Sequence, residues 1–124
     1  MSGTNGYLLD TNVVIGLLKG STESLALLNT FPDLLEQCTI SQISRMELLG
    51  YPGIGEEEKR QIEAFINGCQ VAMLDESIET IVISLRRKEK IKLPDAIIIA
   101  TALSLELELI SHDMNMQTIY TRYP

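Results

Sequence analysis

Apolar and polar positions along the chain fall into short runs that alternate with helical stripes. Tyr7-Leu8-Leu9-Asp10 is a brief apolar run closed by a polar residue, and Val13 to Leu18 continues with helical spacing after a cap at Asp10, Thr11 or Asn12. Strand then helix is the expectation. From Ser24 to Glu36, Leu25, Leu28 and Phe31 recur every third position and Leu27, Leu34 and Leu35 widen the stripe. That spacing predicts an amphipathic helix, broken or restarted at Pro32. A Cys38 to Ile40 strand follows, then a helix capped by Ser41 or Ser44 that runs to Leu49 and is stopped by Gly50-Tyr51-Pro52-Gly53-Ile54-Gly55.

The second half repeats the alternation. Glu56 to Ile66 carries acids in its first turn and Ile62, Phe65 and Ile66 on one side, Val71 to Leu74 reads as a strand, and Ser77 to Lys88 places Ile78, Ile81, Val82 and Leu85 at helical spacing. Pro94 suits the first turn of a helix reaching Leu105, apolar nearly all round through Ile97-Ile98-Ile99-Ala100 and therefore expected to be interior. Leu107 to Ile110 is a last strand, running into Ser111-His112-Asp113 as a turn. Strands alternating with helices, one of them buried, imply an α/β fold: an open, mostly parallel sheet covered on both faces.

Composition narrows the options. With 124 residues, 45% hydrophobic and 22% charged, the chain suits one domain over residues 1–124. Ten basic against seventeen acidic side chains give a net charge of −7, which argues against a broad cationic surface for nucleic acid. Ala96 to Leu103 falls far short of the ~20 apolar residues that span a bilayer, and Met1-Ser2-Gly3-Thr4-Asn5-Gly6 lacks the pattern of an export leader. The expectation is a soluble, cytoplasmic protein with no membrane partner. Cys38 and Cys69 lack the close spacing of zinc or redox motifs and read as buried free thiols, although two strands starting side by side would bring them within bridging distance.

The chemistry rests on four acids. Asp10 and Asp113 fall at or just after the carboxyl ends of predicted strands, where ligand sites form in such sheets. Asp95 sits in the first turn of the apolar helix, and Glu47 one helical turn after Ile43. Each has an ordinary role: helix cap, dipole-favoured acid, solvated helix residue, turn residue. Together they say more, because uncompensated carboxylates brought close repel and raise one another's pKa, so a cluster calls for cations or protons between them. Carboxylate oxygens are the hard ligands of magnesium and manganese. Such ions lower the pKa of a bound water, and a pair of them stabilises both oxygens of a phosphoryl displacement.

These residues resemble PIN-domain ribonucleases, in particular the VapC-like toxins of toxin–antitoxin pairs. The resemblance lies in Leu8-Leu9-Asp10-Thr11-Asn12, Ile43-Ser44-Arg45-Met46-Glu47-Leu48-Leu49, Leu93-Pro94-Asp95-Ala96-Ile97-Ile98-Ile99-Ala100-Thr101-Ala102 and Leu109-Ile110-Ser111-His112-Asp113, in the family's order. It implies a PIN-like α/β/α sandwich with a mostly parallel central sheet. It also implies an Mg2+- or Mn2+-dependent endoribonuclease whose catalytic and metal-binding residues are Asp10, Glu47, Asp95 and Asp113. Thr11, Asn12 and Ser111 match polar positions that orient a carboxylate or water, with local capping as the alternative. A small antitoxin protein and a homodimer are implied as partners. The chain departs from the family where many relatives carry Asp-Phe after the fourth acid, having Asn115-Met116 instead.

Five basic side chains in seven residues, Arg86, Arg87, Lys88, Lys90 and Lys92, precede Asp95 and form a candidate RNA-contact strip, or else a solvated helix end. The lone histidine, His112, excludes mechanisms that need two imidazoles and reads as a turn residue. Two other functions remain open. A non-catalytic module of the same fold would bind protein or RNA without turnover. A phosphatase would use Asp10 as nucleophile, although Asn12 occupies the second acidic place of its usual D-x-D pattern.

Overall fold

The computed structural model describes residues 6–123; Met1 to Asn5, on which the leader reading rests, lie outside them. Four strands, β1 (Tyr7–Leu9), β2 (Cys38–Ser41), β3 (Gln70–Ala72) and β4 (Glu108–Ile110), form one sheet in the order β3-β2-β1-β4, with every neighbouring pair parallel. The helices are α1 (Thr11–Lys19), α2 (Thr22–Leu25), α3 (Leu27–Thr30), α4 (Gln42–Gly50), α5 (Glu56–Asn67), α6 (Glu76–Lys88), α7 (Leu93–Leu105) and α8 (Met114–Thr121). Among the described residues no helix is long and apolar enough to cross a membrane.

Side-chain alternation splits the core between the two faces of the sheet. Leu8 of β1 and Leu109 of β4 pack with Ile78, Val82 and Leu85 of α6, the Ile97–Ile99 segment of α7 and Met116 and Ile119 of α8. Their neighbours Tyr7, Leu9 and Ile110 point the other way, to Val13 and Val14 of α1, Leu48 of α4 and Ile62 and Ile66 of α5. This is the expected α/β/α sandwich. The helix α7 is buried from Ala96 to Ala102, because it lies against the sheet and is itself covered by α6 and α8; an all-apolar sequence is what that position requires.

Three expectations need correction. The Ser24 to Glu36 stripe is two single-turn helices followed by turns, so its Leu residues divide between packing and exposure: Leu34 is fully buried, whereas Leu25 and Leu35 are exposed. Pro32 accounts for the stop at Thr30, because Phe31, the residue before the proline, has left the helical region. The edge strand β3 ends at Ala72, since Met73 and Leu74 face solvent and Leu74 N–H donates to the Gln42 side chain. The turn expected at Ser111-His112-Asp113 continues into α8, capped by Asp113.

One close approach bears on the site. A Cβ at Gly16 would lie 2.1 Å from Ser24 Oγ, so glycine is what lets α2 press against α1. The buried Ser24 then reaches His112 Nε2 at 3.0 Å, tying α2 to the segment after β4. His112 is thus a strut between layers rather than a free turn residue, with Glu23 3.8 Å from its other ring nitrogen.

Candidate functional site

The chain leaves β1 toward β2 on one side, while β4 lies on the other side of β1. The sheet's order therefore reverses beside β1, and a crevice opens outside the carboxyl ends of β1 and β4. Asp10 follows β1 directly, and its N–H donates to Ile110 O at the end of β4 at 2.9 Å. Ser111, His112 and Asp113 follow β4. The sandwich thus carries residues a hundred positions apart to one edge.

Asp10 is buried at 5% exposure and both of its oxygens are engaged. Oδ1 accepts from Thr11 N–H at 2.8 Å as the N-cap of α1, and Oδ2 accepts from the Ser111 hydroxyl at 2.8 Å. Ser111 Oγ in turn accepts from Asp113 N–H at 3.0 Å, while Asp113 Oδ1 caps α8 through Met116 N–H at 3.1 Å. On the other side, the Thr11 hydroxyl donates to Glu47 Oε1 at 2.8 Å. Since Thr11 has one hydroxyl proton, Ser44 must be the donor in its 2.8 Å contact with Thr11 Oγ1. Two relays, Ser44 to Thr11 to Glu47 and Asp113 to Ser111 to Asp10, fix the carboxylates from opposite sides.

Asp95, half-buried in the first turn of α7, responds to all the others. Burial raises its pKa first, and the charges of Asp10, Asp113 and Glu47 raise it further, with Lys92 opposing. The four acids predicted from the sequence are therefore one electrostatic group. Asp10, Glu47 and Asp95, together with Thr11 and Asn12, line a cleft of about 550 Å3 whose far wall contains Leu18, Tyr51 and Ile62. Asp113 is exposed and outside that lining, adjoining the group through Ser111. None of the four has a Lys or Arg ion pair among the described residues.

Among the described residues no three His, Cys, Asp or Glu side chains form a ready-made metal cage. The donor set is all oxygen, mutually repelling at Asp95 and, among the described residues, without a Lys or Arg ion pair, which fits a magnesium-like ion that keeps most of its waters and takes one or two carboxylates directly. It does not fit a closed structural site. Ser44 was missed at the sequence level. It lies three residues before Glu47, hence on the same helical face, and is fully buried, a signal that the Ile43 to Leu49 segment contained.

The basic strip differs in kind. Arg86 Nη1 donates to Ile91 O at 2.7 Å, closing the loop between α6 and α7, while Arg87, Lys88 and Lys90 are exposed. Lys92 is the strip residue whose charge reaches Asp95. Arg45 turns away from the acids to Met73 Sδ.

Fold and crevice define a parallel α/β sandwich protein with an acid-lined switch point. The PIN domain family model matches residues 7–121, and the chain belongs to that family. It is similar to a chain of a toxin–antitoxin complex from Klebsiella pneumoniae, at 32% identity and TM-score 0.74, with 87% of each chain covered. It is also similar to VapBC-1 from nontypeable Haemophilus influenzae, at 28% identity and TM-score 0.73, over 94% of this chain and 92% of that one. VapBC2 from Rickettsia felis, solved bound to a promoter DNA fragment, shares the fold at 18% identity and TM-score 0.73, over 95% and 92% of the two chains. No curated protein matches the sequence. The resemblance read from the four acidic segments holds at the level of family.

Proposed function

We propose that this chain is an Mg2+- or Mn2+-dependent endoribonuclease and the toxin of a toxin–antitoxin pair. The observation that carries the proposal is the raised Asp95 carboxyl, which burial and three other carboxylates destabilise with no ion-paired Lys or Arg among the described residues to relieve it. A carboxyl so placed is favoured in its charged form by a neighbouring cation, and acids with perturbed pKa values in a cleft are functional-site candidates.

In this reading Asp10, Glu47, Asp95 and Asp113 hold the metal, directly or through water. When bound, the metal would supply charge for the developing oxyanion and make a neighbouring water more acidic. The protein's part is positional. Thr11 and Ser111 aim Glu47 and Asp10 before substrate arrives, so little reorganisation is left for the reaction. Asn12, in the cleft wall, orients water or a phosphate oxygen. Asp95, whose carboxyl is raised by burial and by the charges of Asp10, Asp113 and Glu47, would be returned toward the ionised form by a bound cation.

Neutralising four acids would remove more than half of the formal net charge of −7 and with it much of the repulsion toward RNA. Arg87, Lys88, Lys90 and Lys92 then contact phosphates, with Arg86 holding their loop. A small antitoxin partner is supported by the Klebsiella relative, itself described as a toxin–antitoxin complex; the homodimer rests on the resemblance alone.

The test is cleavage of mixed RNA by purified protein in magnesium, manganese or EDTA, with Asp10→Asn and Asp95→Asn as controls. Cleavage should need metal and both acids. Cleavage that persists in EDTA and in both variants rejects the reading, and RNA binding without turnover under any metal replaces it with the non-catalytic module.

A further inference from the structure

Cys38 opens β2 and Cys69 lies one residue before β3, on neighbouring parallel strands whose register pairs Thr39 with Gln70. One step back along both strands sets the two cysteines side by side, with their sulfurs 3.0 Å apart. Adjacent strands run roughly 4.8 Å apart, inside the roughly 4.4–6.8 Å between Cα atoms that a disulfide accepts without backbone movement. Both are free thiols, Cys38 buried and Cys69 half-buried. They lie at the opposite end of the strands from the acids, in the wall of a separate cavity of about 590 Å3 that also includes Gln37, Asn67 and Leu105. The cavity gives a small solute a route to the pair. The shared hydrogen lowers the Cys38 thiol and raises Cys69, favouring a single thiolate.

From this placement we infer that Cys38 and Cys69 are a redox-responsive dithiol site, which a small disulfide such as oxidised glutathione converts into an intramolecular disulfide that staples β2 to the edge strand β3. A thiolate of the pair attacks the S–S bond of the reagent, forming a mixed disulfide and releasing one thiol. The neighbouring sulfur, as its thiolate, then attacks the protein-side sulfur and expels the second. The protein loses two electrons and two protons, and the reagent becomes two thiols. The bond closes a loop of 31 positions containing α4 and α5, and so the Glu47 wall of the cleft.

The test treats the native chain with oxidised glutathione, quenches with an alkylating agent and maps the peptides by mass spectrometry. Both thiols should vanish together, with the loss of two hydrogens and a Cys38–Cys69 linked peptide. Dithiothreitol should restore them. The oxidised wild type should melt roughly 10 °C higher than the reduced form, and Cys69→Ser should show no such rise. Stable glutathione adducts on the wild type, links between two chains, or two thiols still alkylatable where a reference dithiol is fully oxidised would overturn the site. An intramolecular disulfide with no rise in melting temperature would overturn the staple.

Discussion

The acidic crevice and the basic strip both stand out in the sequence, yet the fold builds them in opposite ways. The acids come from the end of β1, from α4 and α7 and from the segment after β4, and tertiary structure brings them into one group in which Asp95 feels the other three. The strip is a cluster by adjacency in sequence. Its arginine at position 86 is used locally on Ile91 O, and Lys92 is the member whose charge reaches the acids. In the proposed function, carboxylates gathered from distant elements against their mutual repulsion serve a shared cation. Neighbouring cations at a helix end need no such ligand, since the helix dipole already favours them.

The contrast should appear in kinetics. Asp10→Asn or Asp95→Asn should lower kcat by roughly 10³-fold, while for Asp95→Asn the melting temperature measured without metal stays level or rises, because a repelled charge is removed. A matching fall in the stability of Asp95→Asn would mean that this acid serves the fold. Ser111→Ala removes the hydroxyl on Asp10 Oδ2 and leaves the acids in place; kcat should fall about 10- to 100-fold, and Thr11→Val should act similarly through Glu47. An unchanged kcat in both would break the link between the two relays and the chemistry.

Strip substitutions should behave differently. Arg87→Ala with Lys88→Ala should raise KM a few-fold at unchanged kcat, and the slope of log affinity against log salt should flatten by about 0.7 per lost phosphate contact. A kcat effect with no change in salt dependence would contradict the phosphate-contact reading.

The smallest effect concerns pH. A carboxyl raised in the folded protein costs stability above its folded pKa, and the cost fades as pH falls toward the unfolded value. Without metal, the wild type should therefore gain stability relative to Asp95→Asn as pH is lowered through the window just above the ordinary carboxylate range, read as the difference in melting temperature. Saturating Mg2+ should flatten that difference.

What the sequence made legible was what local pattern determines. The short apolar runs ending at Leu9, Ile40 and Ile110 and the all-apolar α7 carry their burial in their composition, and the acids stand out because Asp10, Glu47 and Asp95 border or interrupt apolar stretches while Asp113 closely follows one. The Leu25, Leu28, Phe31 spacing misled, since spacing of three persists across two four-residue helices separated at Ala26. Helix α8 was hidden because Asp113 reads equally as a turn and as a cap; Met116, Ile119 and Tyr120 on one side were the available signal. Met116, which departs from the family's aromatic position, is buried at 2% exposure and fills the core there. Spacing places Ser44 beside Glu47, but the links from Thr11 to Ser44 and Glu47 and from Ser111 to Asp10 could not be read from it, because hydroxyl partners up to 101 positions away depend on the sheet's order.

Mn2+ titration of the wild type and of Asp95→Asn, followed by calorimetry at neutral pH, tests most directly whether the four acids share an ion. Saturable binding in the wild type that is lost or weakened at least tenfold in the variant is the predicted result. Equal binding in both proteins, or none in a wild type that still cleaves RNA in EDTA, would contradict it.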